Sequence, residues 1–379
     1  MKEHEIKLCI TGGHATPALA VVEAIRQNHP DWGVVWIGRG SALEGMMLPS
    51  EEYHLVANNH VRFLPLNAGR LTRVFTAQSI FSLFKIPYGF LQAFWYCSRE
   101  KPDCIVSFGG YVALPVAVAG WFLRIPVITH EQTRGTGLAN RIIGFIARRV
   151  CVSFPESKVF FPKGKTVETG LPIRRKLFHP SKTNSIGVVV SKPVLYVTGG
   201  STGAVSLNEL LFPIVDLLTN KWSIVHQTGR VSFDNAATVK QALPKVRQRR
   251  YMIKPYFSED DLAWIYAHAR VVIARAGANT VGELAVLGKV SVLIPLPWSS
   301  YQEQQANAKW LEQAGSAVVL DQRKMTSQIL VEILHQMTRD FVHYQNNADR
   351  FCSHMPRDAD TRVAEEIEKV IGSCTKNFL

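Results

Sequence analysis

Short, uninterrupted runs of apolar residues alternate with longer helical segments along almost the whole chain. A strand that is buried on both faces reads as a continuous apolar run, and parallel strands are joined by crossover helices. The alternation therefore predicts parallel sheets that are covered by helices on both faces. In the first half, the predicted elements are strands at 6–10, 34–38, 104–107, 126–129 and 150–152 and a helix at 17–27.

The alternation stops between residues 173 and 192, where the chain is polar and charged and contains Pro180. This composition is typical of a linker. The second half then predicts strands at 194–198, 222–227, 251–254, 271–274 and 290–294 and helices at 206–218, 280–287 and 305–314. We therefore predict an α/β protein with two Rossmann-like parallel-sheet domains that face each other across a cleft.

The predicted domain bounds are 1–178 for the first domain and 186–350 for the second. The residues near 355–379 contain an amphipathic helix at 361–373, which is a candidate to pack back on the first domain.

Composition limits the class of protein. Of the 379 residues, 47% are hydrophobic and 19% are charged, which is typical of a globular protein with sizeable cores. The formal net charge of +13 favours phosphate-bearing partners of any kind, without choosing among them. The six cysteines form no CxxC pair, which argues for reduced thiols and against a zinc site. The amino-terminal residues predict no signal peptide, and no apolar run reaches the ~18 residues of a membrane span.

The first candidate site loop is Thr11-Gly12-Gly13-His14, between a predicted strand and the helix that begins near Pro17. Ligands bind where parallel strands end, and glycines with free N–H groups at a helix start suit an anion. A neutral His14 could take a proton from an attacking hydroxyl. The alternative is that His14 only caps or packs beside the turn.

Two more loops of the first half follow predicted strands. One contains Gly109, Gly110 and Tyr111, and the other begins with His130 and Glu131. Either could be an ordinary strand-to-helix turn. Three such loops in one half favour a ligand cleft.

In the second half, residues 198–203 read Thr-Gly-Gly-Ser-Thr-Gly, which suits a diphosphate but is not a Walker A loop. In residues 275–283, Glu283 could accept hydrogen bonds from the two hydroxyls of a ribose, or simply complement a helix dipole. The amides of residues 302–307 suit the recognition of sugar hydroxyls, although exposed glutamines on a helix are common.

Residues 70–101 combine aromatic and long aliphatic side chains with interspersed Arg and Lys. This pattern is typical of a surface that binds anionic membranes, and a core helix of the first domain is the alternative.

Taken in order, these loops resemble the MurG family, whose members transfer N-acetylglucosamine from UDP-GlcNAc to a lipid-linked muramyl peptide. The matching stretches begin at TGGHATPALAVVEAI, include SFGGYVALP, ITHEQTRGTGLAN, TGLPIRR, VTGGSTGAVSLNELL and ARAGANTVGELA, and end with QQANAKWLEQAG. They extend from residue 11 to about 315.

The resemblance implies a GT-B fold, an inverting reaction and peripheral attachment to the cytoplasmic face of the membrane. It implies no metal and no cofactor. A basic nucleic-acid-binding protein is the non-enzymatic alternative, and the scattered positions of Lys and Arg argue against a nucleic-acid partner. The resemblance identifies His14 as the candidate base. The implied acceptor-binding residues are Thr11, Gly12, Gly13, Gly109, Gly110, Tyr111, His130, Glu131 and Asn140. The implied UDP-GlcNAc-binding residues are Arg174, Gly200, Ser201, Gly277, Thr280, Glu283, Gln304 and Asn307. The implied partners are UDP-GlcNAc, the undecaprenyl-linked muramyl peptide and an anionic membrane surface.

The chain departs from the family pattern at several positions. Cys9 and Ile10 stand where further glycines are common, and Thr133 replaces the usual Asn after His-Glu-Gln. Leu171 replaces the usual Asn before a proline, and Glu303 replaces the first residue of a polar pair. The donor half matches more fully, so the resemblance supports the donor better than the acceptor. A related lipid glycosyltransferase with another membrane acceptor and a UDP-GlcNAc 2-epimerase are the alternatives.

Overall fold

The structure is a computed structural model that describes residues 5–40, 50–69, 77–181, 183–200, 204–299 and 302–375. The chain divides into two compact units. The first contains the residues up to Arg174 together with those from Pro356 onward, and the second contains Arg175–Met355. In the described residues, no helix is both long enough and apolar enough to cross a membrane.

The first unit is built on a seven-stranded, wholly parallel sheet with the order β3-β2-β1-β4-β5-β6-β7. Its strands are β1 (Lys7–Thr11), β2 (Gly33–Arg39), β3 (Arg62–Leu66), β4 (Cys104–Ser107), β5 (Val127–Glu131), β6 (Arg149–Val152) and β7 (Thr166–Glu168). Its helices are α1 (Ala15–Asn28), α2 (Glu51–Asn58), α3 (Ala77–Glu100), α4 (Ala113–Phe122), α5 (Leu138–Ile146) and, at the end of the chain, α15 (Ala359–Thr375).

The second unit contains a six-stranded parallel sheet with the order β10-β9-β8-β11-β12-β13. Its strands are β8 (Val194–Thr198), β9 (Ser223–Gln227), β10 (Tyr251–Lys254), β11 (Ala269–Ala274), β12 (Ser291–Leu293) and β13 (Ala317–Val319). Its helices are α6 (Val205–Leu211), α7 (Val215–Leu218), α8 (Phe233–Ala242), α9 (Lys245–Gln248), α10 (Glu259–His268), α11 (Ala278–Val286), α12 (Glu303–Gln313), α13 (Ser327–Arg339) and α14 (Phe341–Cys352).

Alternate residues of each central strand face opposite sides of the sheet. In β1, Leu8 and Ile10 join the core beneath α1 and α15, whereas Cys9 joins the core beneath α3, α4 and α5. Both faces are therefore buried, which explains why the strand reads as a continuous apolar run. The prediction of two α/β units, each built on a parallel sheet, is confirmed.

The sequence did not predict three short strands, namely β3, β7 and β13. All three are edge strands. An edge strand has a neighbour on one side only, and in β3 the residues Arg62 and Pro65 are exposed. The continuous apolar run that signals a central strand is therefore absent.

Two other predictions were wrong in detail. The predicted helix at 206–218 is interrupted by a 3₁₀ turn at Phe212–Ile214, because Pro213 has no N–H for an α-helical hydrogen bond. The strand predicted at 126–129 extends through His130 and Glu131, so these two residues belong to β5 and not to the loop after it.

Candidate active-site residues at the strand ends

In each sheet the strand order reverses at one point. This point lies between β1 and β4 in the first unit and between β8 and β11 in the second. At such a switch point the loops on either side leave in opposite directions, and a crevice opens at the carboxyl ends of the strands. Most of the site residues that the sequence predicted lie at these two places.

In the first unit, the loops after β1 and β4 are joined to each other. Phe108 donates its backbone N–H to the Thr11 carbonyl at 2.7 Å, and Gly13 donates its N–H to the Gly109 carbonyl at 3.1 Å. The expectation that the N–H groups of the first loop are free for an anion is therefore wrong for Gly13.

Glycine is required at several positions where these loops meet. Gly12 has φ +139°, and a Cβ there would lie 2.7 Å from the carbonyl carbon of Phe108. Gly109 has φ +72°, and its Cβ would lie 2.7 Å from Nδ2 of Asn140. Gly110 has φ +85°. Side chains are thus excluded here by backbone conformation and by close approach.

His14 lies directly before α1 and is half-buried. Its side chain makes no capping hydrogen bond to the helix, so the capping alternative is wrong. Burial lowers the pKa of His14 to about 4, which keeps the imidazole neutral at neutral pH. A neutral imidazole can accept a proton, whereas an imidazolium cannot.

His130, at the end of β5, is fully buried. Its Nε2 lies 3.1 Å from the Gly170 carbonyl, which requires the proton on Nε2. Its Nδ1, and the buried hydroxyl of Thr11, have no hydrogen-bond partner among the described residues. Burial, together with the nearby His14, lowers the pKa of His130 to about 4, against the opposing effect of the hydrogen bond to Gly170. The two histidines are thus close enough to interact electrostatically.

Glu131 and Asn140 form a buried polar pair between β5 and α5. Asn140 donates from Nδ2 to Oε2 of Glu131 at 2.8 Å and accepts from the Thr129 hydroxyl at 3.1 Å. Thr133 donates its backbone N–H to Oε1 of Glu131 at 3.0 Å, and its hydroxyl lies 2.7 Å from the same oxygen. Thr133, one of the departures from the family pattern, therefore helps to hold the carboxylate.

The last two first-unit residues are less closely tied to this cluster. Tyr111 is half-buried and packs against the core beneath α4. Arg174 is the last residue of the first unit before the chain enters the second, and it is partly exposed.

In the second unit, Gly200 follows β8 in a left-handed conformation, with φ +80°. Gly277 is the N-cap of α11, and Thr280 lies in the first turn of that helix. Glu283 lies one turn further along, is 6% exposed and accepts a hydrogen bond from the Tyr266 hydroxyl at 2.9 Å. Ser201 lies outside the described residues.

The amide residues of α12 hold the neighbouring loops. Asn307 donates from Nδ2 to the Ala276 carbonyl at 3.2 Å, in the loop after β11. Gln304 accepts the Leu296 N–H at 2.9 Å, in the loop after β12. Burial raises the pKa of Glu303, and the hydrogen bond with Asn307 opposes this effect. These contacts bring the strand-end loops of β11 and β12 together around α12.

Arg275 is the first residue of the candidate loop at 275–283, and the sequence predicts no role for it. It is only 4% exposed, and it donates to the Ile294 carbonyl at 2.9 Å and to the Ser206 hydroxyl at 2.6 Å. Burial lowers the pKa of Arg275 to about 10, so the side chain stays charged at neutral pH. A single arginine directly after a buried apolar strand is the sequence signal that could have identified it. It places a positive charge at the switch point of the second sheet.

In the described ranges, no group of three or more His, Cys, Asp or Glu side chains is close enough together to hold a metal ion.

Comparison with known proteins identifies the family. Residues 9–152 match the glycosyltransferase family 28 N-terminal domain, and residues 194–363 match the glycosyltransferase family 28 C-terminal domain. A Treponema denticola protein named UDP-N-acetylglucosamine–N-acetylmuramyl-(pentapeptide) pyrophosphoryl-undecaprenol N-acetylglucosamine transferase is 34% identical over 97% of this chain and 95% of its own length.

Solved structures agree with the sequence comparison. The crystal structure of Acinetobacter baumannii MurG covers 97% of this chain and 100% of its own chain, with 27% identity and a TM-score of 0.70. A UDP-GlcNAc 2-epimerase from Neisseria meningitidis covers 96% of this chain and 99% of its own, with 12% identity and a TM-score of 0.61, and shares the fold alone. This chain has the GT-B fold and is a glycosyltransferase that belongs to the MurG family, within glycosyltransferase family 28.

Proposed function

We propose that this glycosyltransferase transfers N-acetylglucosamine from UDP-GlcNAc to an undecaprenyl-diphospho-N-acetylmuramyl peptide, with inversion at the anomeric carbon and without a metal ion. The observation that carries the proposal is the 34% identity, over 97% of the chain, with a relative whose name states this donor and this acceptor. The two switch-point clusters support it, because each has the chemistry that one of the two substrates requires.

The second unit is proposed to bind the donor. Glu283 accepts hydrogen bonds from the ribose hydroxyls, and Tyr266 holds its carboxylate at 2.9 Å. Gly277 and Thr280 lie beside it at the start of α11. Gly200 and Ser201 contact the diphosphate, and Gln304 and Asn307 contact the sugar. Arg174 also contacts the diphosphate in this proposal.

The first unit is proposed to bind the acceptor. The loops that contain Gly12, Gly13, Gly109 and Gly110 bring main chain close to the ligand without side chains in the way. The buried hydroxyl of Thr11 and Nδ1 of His130 have no partner among the described residues, and buried polar atoms without a partner are costly. A hydroxyl or amide group of the acceptor would satisfy both. Tyr111 belongs to the loop after β4, and Glu131 and Asn140 hydrogen-bond to each other beside it.

The reaction is proposed to be one direct displacement. His14 removes the proton from the acceptor hydroxyl as the hydroxyl attacks the anomeric carbon, on the face opposite UDP. The bond from the anomeric carbon to the diphosphate oxygen breaks, and UDP leaves with the electron pair. A base with a pKa of about 4 holds a proton weakly, so we infer that the negative acceptor diphosphate raises the pKa of His14 in the complex.

The leaving diphosphate is proposed to be stabilised by protein groups in place of a divalent cation. Backbone N–H groups, hydroxyls and arginines that are held in position can stabilise developing negative charge. Arg275 supports this part of the proposal, since it keeps its charge while almost fully buried at the strand ends of the second sheet.

The acceptor lipid requires contact with a membrane, and we propose peripheral attachment to the cytoplasmic face through α3, α4 and α5. These helices pack side by side on one face of the first sheet. They expose a set of large apolar side chains, which we name the α3–α5 surface: Tyr88, Leu91, Phe94, Trp95, Trp121, Phe122, Leu138, Ile142 and Phe145. Basic side chains adjoin it, such as Arg99 over the Trp95 ring at 5.2 Å. Residues 70–76 of the stretch that predicted this surface lie outside the described residues.

Release of UDP from UDP-GlcNAc, measured in EDTA with and without a short-chain undecaprenyl-diphospho-muramyl peptide analogue, tests the proposal. Acceptor-dependent release with the sugar recovered on the lipid, in the β configuration, is the expected result. A requirement for added Mg²⁺ or Mn²⁺ would contradict the metal-independent part alone.

The same assay separates the alternatives. Release of UDP with diacylglycerol but not with the muramyl lipid would indicate a related lipid glycosyltransferase. Thr133, a departure from the family pattern on the acceptor side, is a reason to test this alternative. Acceptor-independent conversion of UDP-GlcNAc to UDP and an epimerised sugar would indicate the epimerase chemistry of a protein with which this chain shares only the fold.

A further inference from the structure

Gln227, the last residue of β9, holds the first residues of the loop after β8. Gln227 lies beside Thr198 in the parallel register of the two strands. Its Nε2 donates to the Gly200 carbonyl at 3.1 Å, and its Oε1 accepts the Phe257 N–H at 3.4 Å. The side chain is 7% exposed, and both of its polar atoms are engaged with backbone. Gln227 therefore acts on this loop and not directly on a ligand.

Gly200 is held on both sides of its α-carbon. Its N–H donates to the Thr198 hydroxyl at 3.1 Å, and its carbonyl accepts from Gln227. With φ at +80°, this residue has a conformation that L side chains rarely adopt. The hydrogen bond from Gln227 fixes the direction of the Gly200 carbonyl oxygen.

The residues on either side of Gln227 hold the helix that follows the same loop. His226 lies 2.9 Å from both the Tyr251 hydroxyl and Oδ1 of Asn208, and Asn208 donates to the Thr228 carbonyl at 2.8 Å. Asn208 belongs to α6, and His226 and Asn208 are completely buried. The end of β9 therefore holds the first residues of this loop through Gln227, and it holds the helix after the loop through His226 and Thr228.

We propose that Gln227 is a positioning residue for the donor diphosphate, which it serves by fixing the Gly200 peptide before the nucleotide arrives. This inference rests on the proposed function, in which Gly200 contacts the diphosphate. A glycine has much conformational freedom to lose on binding, and a glycine that hydrogen bonds already hold, as they hold Gly200, loses less. The effect is confined to ligands whose phosphates reach Gly200.

The test compares Gln227→Met with Gln248→Met by titration calorimetry with UDP and with UMP. Methionine keeps the length of glutamine and removes its hydrogen bonds. Gln248 is a matched control, because its Nε2 also donates to backbone carbonyls, those of Gln241 and Leu243, between α8 and α9. We expect Gln227→Met to weaken UDP binding about tenfold, UMP binding less than about twofold, and Gln248→Met to change neither.

If Gln227→Met loses affinity for UDP selectively, with an unchanged midpoint of thermal unfolding, the result supports the inference. Unchanged UDP affinity overturns it, and so does an equal loss for UDP and UMP, which would indicate a general defect of the second unit. If Gln227→Met does not fold, Gln227→Glu carries the same test, because its carboxylate repels the Gly200 carbonyl. The titrations need no acceptor, so a wild-type protein that binds UDP but transfers no sugar contradicts the proposed function and leaves this inference standing.

Discussion

Gly13 donates its backbone N–H to the carbonyl of Gly109 at 3.1 Å, so that the loops after the two central strands of the first sheet are hydrogen-bonded to each other. The contact brings two pieces of main chain together at the switch point, where a Cβ on Gly12 or Gly109 would lie too close to its neighbours, whereas one on Gly13 would not. It also removes one backbone donor that would otherwise be available to a ligand. The remaining polar groups of the cluster, His14, His130 and Thr11, are side chains.

Gly12→Ala and Gly13→Ala should differ sharply in stability. The new Cβ at residue 12 would lie 2.7 Å from Phe108 main chain, in a backbone conformation with φ +139°, whereas a Cβ at residue 13 meets nothing within 4 Å. We expect Gly12→Ala to lower the free energy of unfolding by about 1–3 kcal/mol or more, and Gly13→Ala to change it by less than about 0.5 kcal/mol. Urea denaturation measures both. Equal stabilities would show that the two loops can separate without cost.

His14→Ala should lower kcat with little effect on UDP affinity, because the proposed role of His14 is to remove a proton. Loss of a general base costs roughly 10²–10⁴-fold in rate. His54→Ala is the matched control, since His54 is an exposed histidine on α2 of the same unit. Acceptor-dependent turnover and UDP titration give the two quantities. An unchanged kcat would remove His14 from the base role.

Buried histidines should make the protein less stable as the pH falls below about 6.5. Burial lowers the pKa of His226 to about 3, so the folded state keeps it neutral while the unfolded state takes up a proton near the ordinary value. Between these two pKa values the unfolded state therefore binds more protons than the folded state. The free energy of unfolding decreases as the pH decreases through this range.

His226→Gln removes the side chain that takes up this proton in the unfolded state. Its free energy of unfolding should depend less steeply on pH between 7 and 5 than that of the wild type, by up to about 1.4 kcal/mol per pH unit. Urea denaturation at several pH values measures the slope. A His226→Gln slope equal to that of the wild type would contradict the neutral state of His226.

Glu283→Ala should abolish discrimination between UDP and 2′-deoxy-UDP. A buried carboxylate that is engaged with ribose hydroxyls penalises a ligand that lacks one of them, because the carboxylate then loses a partner. We expect the wild type to prefer UDP by about fivefold to tenfold and the variant to bind both ligands equally weakly. Tyr266→Phe, which removes only the hydroxyl that holds Glu283, should show an intermediate preference. If Glu283→Ala prefers UDP over 2′-deoxy-UDP as strongly as the wild type does, another residue contacts the ribose hydroxyl.

The α3–α5 surface should determine binding to anionic vesicles. Leu91 and Phe145 are 71% and 72% exposed, and their joint replacement by Ser should weaken partitioning onto phosphatidylglycerol vesicles by more than about tenfold. The control is the joint replacement of Val231 and Val342 by Ser, because these residues of the second unit are 82% and 70% exposed. Equal effects of the two pairs in a vesicle sedimentation assay would contradict a role for this surface.

The apolar pattern of the sequence was sufficient to predict the central strands, because a strand that is covered on both faces of the sheet must be apolar throughout. The bounds of the central strands β4 and β8 agree with the predicted ones to the residue. Three of the four edge strands, β3, β7 and β13, were not predicted, since nothing in a run such as Arg62–Leu66 distinguishes a half-covered strand from a loop. The break in the predicted helix at 206–218 was foreseeable from Pro213 alone.

The candidate site was harder to predict, because its residues meet through contacts between distant segments. The loops that contain Gly12 and Gly109 were recognised from composition and strand ends, but not the bond between them. The roles of Gln227 and Arg275 could not be predicted, for the same reason. Each acts by holding backbone of another strand-end segment, and only the register of the parallel strands shows which segment that is.

The helix α15 contributes Val363, Ala364, Ile367 and Val370 to the core of the first unit, in which Leu8 and Ile10 are also buried. The two parts of this core are separated by the entire second unit, which is one continuous stretch of chain. On the ribosome, the second unit is thus fully synthesised before the missing side of the first unit exists. The first unit is therefore the last to be able to complete its fold, and until α15 has been synthesised it exposes the apolar face of α1 to chaperones.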